Sequence, residues 1–312
     1  MTRATSELSD VSFPDAELKN TIADFVSQEA EYKGKALPNA MSVDVEDYFQ
    51  VSAFEGIISR DDWPNIPARL PANTERIFQL FADAEISATF FVLGWVCRKF
   101  PDVVRAISDA GHEIASHGRD HSRVGALSQK QFLLDVKDTR HLLEDTSGSR
   151  VKGYRAPSFS IGLETLWAHD VLVEAGYEYS SSVFPVQHDH YGLPQAPRFP
   201  FRCASGKLLE IPMSSVRLFG RNWPCSGGGY FRLLPLAISK WGINRINRKD
   251  QMPAVFYFHP WEIDPGQPRI EGISAKTQFR HYLNLGKFEA RLTNLLQTYQ
   301  WDRIDRIFTS SV

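Results

Sequence analysis

The stretch ATFFVLGWVCRKFPDVVRAISDAGHEIASH, residues 88–117, carries the pattern that decides the fold. Residues 88–96 form an apolar run, as expected of a strand buried on both faces. A helical stretch follows at once, with Pro101 in its first turn and Gly111 just past its end, the usual asymmetry of helix starts and stops. EIASH, residues 113–117, reads as the next strand. Strand, helix and strand in immediate succession make a β-α-β unit, which joins parallel strands.

The same rhythm continues on both sides. Upstream, MSVDV (41–45) reads as a strand, and Asn73 to Ala84 as a helix with Ile77, Phe78, Leu80 and Phe81 inward. Downstream, Ser128 and Gln131 form a capping-box signature that opens a helix to about Asp145, and VKGYRAP (151–157) is the strand after it. A helix over Leu163 to Ala175 stops at Gly176, YEYSSSV (177–183) is strand-like, and PAVFYFHP (253–260) is another apolar strand. Repeated β-then-α units predict an α/β fold with a parallel sheet, closed or nearly closed as a barrel. A Rossmann sheet is disfavoured because no G-x-G-x-x-G opens a helix, and Gly227–Gly229 lacks the Lys-Ser/Thr of a phosphate loop and reads as a turn.

Residues 1–39 are read as an extension with a short amphipathic helix through Leu18, Ile22, Phe25 and Val26, and residues 40–312 as one domain with a C-terminal extension from about 266. Pro185, Pro194, Pro197 and Pro200 mark an insertion over about 184–223, with a hairpin-like FRCASGKLLEIP at 201–212. It is either a substrate wall or a structural excursion. A long helix is expected from roughly Phe279 to Tyr299.

Composition narrows the class. With 43% hydrophobic, 12% aromatic and 23% charged residues among 312, disordered, collagen-like and coiled-coil readings fall away. A net charge of -2 gives no chain-wide field toward nucleic acid or an anionic membrane, so either role would need a local patch. Cys97, Cys203 and Cys225 are odd in number and widely spaced, unlike a disulfide framework or a Cys-based zinc site, and point to a reducing compartment. The longest apolar run is about half of the roughly 20 residues that cross a bilayer, so no membrane span is expected. Acids stand in the N-terminus where a signal peptide needs apolar residues, so the expected location is cytoplasmic.

Four signals could carry chemistry. SHGRDH places His117 and His121 four residues apart after a strand, a spacing that on a helical turn aims two imidazoles at one metal ion. SVDVEDYF crowds Asp44, Glu46 and Asp47 at a strand's mouth, where they repel unless a cation sits among them. One carboxylate with two histidines and open positions for water suits a catalytic divalent metal, zinc first for this N/O set. Arg155 in YRAPSF could hold a neighbouring carboxylate ionised, and His259 closes the apolar strand FYFHPWE. All four lie at the C-terminal ends of strands, where barrel active sites are built. Together they supply ligands, a base, its orienting cation and a general acid.

These motifs, in this order, resemble those of the polysaccharide deacetylase family, the NodB-homology carbohydrate esterases of family 4, and within it the variant of exopolysaccharide loci that carry an exosortase. The resemblance covers about residues 40–265. It implies a distorted (β/α) barrel of the NodB-homology type and metal-dependent removal of N-acetyl groups from an amino sugar in an N-acetylated oligosaccharide or polysaccharide. Carried over, Asp44 is the general base, His117 and His121 are metal ligands, Arg155 positions Asp44, and His259 is the general acid. The chain departs from the family where Val45 follows Asp44, which leaves Glu46 or Asp47 as third ligand. Pleat alternation favours Glu46, while a strand-end turn would favour Asp47. Ser158 stands where an aromatic usually follows the family's Pro, here Pro157, and with Trp261 these residues are expected to contact substrate. The usual partner that orients the catalytic His is not evident; Trp261 or Asp189 could serve. Rival readings are an amidohydrolase acting on a cyclic amide or ureide, and a non-catalytic glycan-binding protein. The sequence leaves the oligomeric state open.

Overall fold

The computed structural model describes residues 26, 28–29, 38–189 and 191–309. The helix expected through Leu18, Ile22 and Phe25 lies outside them. The main sheet is built from β1 (Gln28–Glu29), β2 (Asn39–Val45), β3 (Thr89–Val92), β4 (Glu113–Ser116), β5 (Gly153–Tyr154), β6 (Tyr179–Ser180), β7 (Phe201–Cys203), β8 (Leu208–Glu210), β11 (Val255–Phe258) and β12 (Trp301–Asp302). Its order is β1-β7-β8-β6-β5-β4-β3-β2-β11, with β12 also on β2. Strands from β8 to β11 along this order run parallel, while β7 and β1 are antiparallel additions at one edge. A separate hairpin joins β9 (Ser215–Leu218) to β10 (Arg221–Pro224). The expected barrel is distorted and open: the sheet curls into a half-barrel whose end strands, β11 and β1, do not pair.

Helices α1 (Leu70–Asp83), α2 (Gly94–Lys99), α3 (Pro101–Asp109), α4 (Gln129–Ser147) and α5 (Ala168–Glu174) alternate with the strands. After β10 come α6 (Gly228–Leu233) and α7 (Leu236–Arg245), and after β11 come α8 (Ala275–Tyr282) and α9 (Leu285–Thr298). Pleat alternation sorts each parallel strand. Val43, Val45, Phe90, Val92 and Ile114 face the helices, packed with Ile77, Phe81, Val104 and Val136. Phe91 and Ala115 belong to the other face, packed with Tyr179, Leu209 and Tyr257. That inner face also takes Ser42 and Asp44.

Four expectations change. The strand over 88–96 ends at Val92, because Gly94 and Trp95 donate their backbone N–H groups to Gly118 and Arg119 carbonyls at 2.9 and 2.7 Å and the chain turns into α2. His117 and His121 lie on a loop rather than a helical turn, with Gly118 and His121 at φ of 78° and 60°. Gly227–Gly229 opens α6 instead of making a simple turn; a Cβ on Gly228 would strike the Glu262 carboxylate. The long C-terminal helix breaks into α8 and α9 at Asn284, which takes φ of 53°. No described helix is long and apolar enough to cross a membrane, and the three cysteines are buried and unbridged.

Candidate active site

Strands β5, β4, β2 and β11 lie in one parallel run of the sheet, with β3 between β4 and β2, and their ends bring the four sequence signals around one cavity of about 730 Å³. Asp44, Glu46, His117, His121, His259 and Glu262 all line it. Asp44 is the sixth residue of β2 and is buried. Its Oδ1 accepts from Arg155 Nη1 at 2.6 Å. Arg155 is itself fully enclosed, donating to Ser42 Oγ at 2.9 Å and to the Ser181 carbonyl and Oγ at 3.0 Å each, with its guanidinium 4.0 Å from the centre of the Phe91 ring. A guanidinium held by so many partners fixes one carboxylate rotamer.

Glu46, His117 and His121 form the one group of three potential metal ligands among the described residues, their ligand atoms within 4.8 Å of one another. His117 Nδ1 donates to the Arg155 carbonyl at 2.9 Å, which leaves Nε2 as the lone-pair nitrogen. Burial lowers the His117 pKa to about 4, so the ring is neutral, the form a ligand requires. Glu46 Oε2 sits 2.9 Å from His121 Nε2 yet takes no hydrogen bond, and His121 Nδ1 is likewise buried without one. Burial alone would raise the Glu46 pKa, but His121 and His259 beside it outweigh that and hold it at about 2. A buried carboxylate oxygen without a hydrogen bond, beside the His117 and His121 imidazoles, fits a divalent cation, whose charge would supply the missing partner.

Asp47 is not part of this group. Its carboxylate caps the next turn, taking backbone N–H groups from Tyr48, Arg69 and Leu70 at 2.9, 2.7 and 2.9 Å. β2 ends at Val45, and Glu46 reaches the site from just past the strand, its backbone N–H donating to the Asp44 carbonyl at 3.0 Å.

His259 is oriented by a residue the sequence reading missed. Glu262 Oε2 accepts from both His259 Nδ1 and the His259 backbone N–H, each at 3.0 Å. Glu262 is completely buried and in turn accepts from Arg232 Nε at 2.7 Å. Arg232 Nη1 donates to the carbonyls of Arg280, His281 and Leu283 at 3.1, 2.7 and 3.1 Å, the free carbonyl end that the break at Asn284 creates. Burial works against a His259 cation, but Glu46 and Glu262 overcome it and raise its pKa to about 9. The spacing of His259 and Glu262, three apart in HPWE, was the available signal; nothing local pointed to Arg232. Of the two expected orienters, only Trp261 touches the His259 ring. Asp189 pairs with Lys276 and Arg280 at 3.2 and 3.3 Å. Trp261 stacks between His259 and His281, ring centroids 5.2 and 4.3 Å away, and its Nε1 lies 3.4 Å from Glu46 Oε1. With both faces covered, Trp261 is a wall of the site rather than an open platform for a sugar.

Ser158 lines the cavity, whereas Pro157 is buried outside that lining and packs against Gly118. Ser158 and Phe159 both adopt left-handed φ, 55° and 48°, a strained pair at the cavity wall. Aromatic residues replace the expected neighbour in space: Phe159, Tyr191, Tyr230 and Tyr257 enclose the remaining wall.

The polysaccharide deacetylase family profile matches residues 57–180, and a domain of unknown function (DUF3473) matches residues 181–309. Asp44 and Glu46 precede the first match, and Arg232, His259 and Glu262 fall in the second. A peptidoglycan deacetylase of Helicobacter pylori is 30% identical over 108 residues, covering 35% of this chain and 36% of its own length. A chitooligosaccharide deacetylase of Rhizobium leguminosarum bv. trifolii is 32% identical over 83 residues, covering 27% of this chain and 36% of its own length. The chain thus spans about a third of each of these relatives. A solved structure from Mycobacterium smegmatis assigned to the polysaccharide deacetylases has the same fold at a TM-score of 0.59 and 17% identity, over 87% of this chain and 88% of that one. Residues 57–180 thus match the polysaccharide deacetylase family, and the sheet has the fold of its NodB-homology domain.

Proposed function

We propose that the protein is a metal-dependent hydrolase that removes N-acetyl groups from amino sugars of a polysaccharide or its precursor, as part of bacterial exopolysaccharide assembly. The observation that carries this reading is the convergence of two independently fixed groups, Asp44 on Arg155 and His259 on Glu262, on the cavity that holds Glu46, His117 and His121. The relatives named above act, by their names, on peptidoglycan and chitooligosaccharide, both N-acetylated glycans, which supports the substrate class.

Glu46, His117 and His121 would hold the ion, zinc by donor type, and that ion would supply Lewis acidity toward an acetamide carbonyl and a water. Asp44, paired with Arg155, takes a proton from the attacking water as the C–O bond forms. His259, charged beside Glu262, gives its proton to the amide nitrogen as the C–N bond breaks. Acetate and a free amine leave, and a proton returns from Asp44 to His259 through solvent. Glu262 keeps the imidazole aimed by Nδ1, so that Nε2 faces the leaving group.

The test is acetate release from N-acetylated oligosaccharides by the wild type and by Asp44→Asn. The expected result is turnover in the wild type and a loss of about 10² or more in the variant, the usual scale for a general base, with metal content unchanged. Near wild-type turnover in Asp44→Asn would remove Asp44 from the mechanism.

A further inference from the structure

Residues 211–249 contain seven Lys or Arg and no Asp or Glu, in a chain whose net charge is -2. Arg232 is buried in the active site, and the other six lie outside it. The same stretch holds Phe219, Trp223, Leu233, Ile238 and Trp241, five of the eight large apolar side chains that stand exposed among the described residues. Scattered exposed apolar residues need no explanation, but a concentration of them within an acid-free basic segment does.

The β9–β10 hairpin is the sharpest case. Its two-residue loop is Phe219-Gly220, with φ of 49° and 77°. Both positions of such a turn favour Gly, Asn or Asp, so Phe219 accepts a conformation unsuited to a bulky side chain. It gains no packing in return, being 98% exposed. Arg217 and Arg221 flank it, both exposed. The surface continues onto α7, which packs beside β9: Arg245 Nη2 reaches the Arg217 carbonyl at 3.5 Å and its guanidinium lies 5.9 Å from the Trp241 ring centroid. Ile238 and Trp241, three residues apart, share the exposed face of that helix.

We propose that the β9–β10 hairpin and the exposed face of α7 dock on an anionic lipid bilayer, with Phe219 entering the headgroup–acyl boundary and the arginines pairing with lipid phosphates. Aromatic side chains partition to that boundary, and basic residues beside them are drawn to anionic headgroups. A soluble polyanion would satisfy the arginines but offers no apolar layer to a fully exposed phenyl ring, which decides for the bilayer. Gly229, Tyr230 and Leu233, just before α7, line the cavity, so docking brings the mouth of the site to the membrane surface.

The experiment is co-sedimentation of the full chain with phosphatidylcholine vesicles and with vesicles that also contain phosphatidylglycerol, read together with tryptophan fluorescence. Binding to the anionic vesicles alone is expected, with a blue shift from Trp223 and Trp241. Phe219→Ser and the pair Arg217→Gln with Arg221→Gln should each weaken binding about tenfold or more. Leu134→Ser, at an exposed apolar position on α4, should bind as the wild type does. Circular dichroism checks that each variant is folded. Absence of wild-type binding to anionic vesicles overturns the proposal, as does binding that Phe219→Ser leaves unchanged. Binding to soluble alginate without vesicle binding also overturns it and assigns the face to a polyanion.

Discussion

Asp44, Glu46 and Asp47 lie within four residues and have three different environments: a guanidinium, a pair of imidazoles and a row of backbone N–H groups. Charge alone made all three candidates for one ion, and only the third dimension separates them. Glu46→Gln is therefore expected to weaken metal binding by 10² or more, while Asp47→Asn should keep the metal and lose about 1–2 kcal/mol of stability, the scale of disturbed buried hydrogen bonds. Metal titration by calorimetry and urea unfolding read the two effects; metal loss in Asp47→Asn with retention in Glu46→Gln would reverse the ligand assignment. His259 gives a second residue-scale outcome. Its pKa of about 9 owes part of its rise to Glu46, which a bound cation would neutralise, and part to Glu262, which it would not. Removing the Glu262 charge makes the imidazolium less favourable, so its pKa falls. In Glu262→Gln the alkaline limb of kcat/KM should move to lower pH by about one unit or more. An unmoved limb would take His259 out of the acid role.

Between the residue and the fold, the break that separates α8 from α9 is what seats Arg232. An uninterrupted helix over roughly Phe279–Tyr299 is a fair reading of its apolar spacing, since periodicity carries no record of a partner elsewhere in the chain. Asn284 takes the left-handed turn at φ of 53° and donates Nδ2 to the Arg232 carbonyl at 2.8 Å. Asn is among the residues that tolerate that conformation. Asn284→Ala should cost about 1–2 kcal/mol, from the left-handed backbone and the lost bond, and Asn284→Gly less, because Gly restores the conformational freedom. Equal losses in the two variants, measured by urea denaturation, would mean that backbone conformation is not what Asn284 contributes. The strand-end motifs were legible for the opposite reason. Asp44, His117, Arg155 and His259 each stand at or just past the end of a parallel strand, so the sheet brings them together whatever lies between. The relay through Glu262 and Arg232 depends on contacts across 30 residues or more and left only the three-residue spacing in HPWE as a trace.

At the scale of the molecule, the sheet has two ends with different chemistry. Away from the site, at the start of β4, Glu113 is buried against Thr89, Tyr179 and Asp305 of the C-terminal segment. Burial first, and then the Asp305 charge, raise its pKa to about 8. A carboxyl whose folded pKa lies above its unfolded value of about 4.5 favours the folded state most below that unfolded value, and the contribution is lost as pH rises through 8. Wild-type stability should therefore fall relative to Glu113→Gln between about pH 5 and pH 8, at up to about 1 kcal/mol per pH unit, read from urea midpoints. Parallel curves for the two proteins would mean that Glu113 stays ionised in the fold. The parallel sheet was legible from alternating apolar runs and capped helices, and the β7–β8 hairpin from FRCASGKLLEIP, but the pairing of β1 with β7 was not, because a two-residue edge strand far away in the chain leaves no local pattern. The central claim is that the strand ends assemble a metal-dependent deacetylase site. The direct measurement is acetate release from an N-acetylated oligosaccharide, followed on one sample through chelation and zinc addition, with metal content determined at each stage. Activity should disappear with the ion and return with about one ion per chain, and a folded His117→Ala, His121→Ala protein should neither bind it nor recover. Full acetate release from metal-free protein, or from the double variant, would contradict the account.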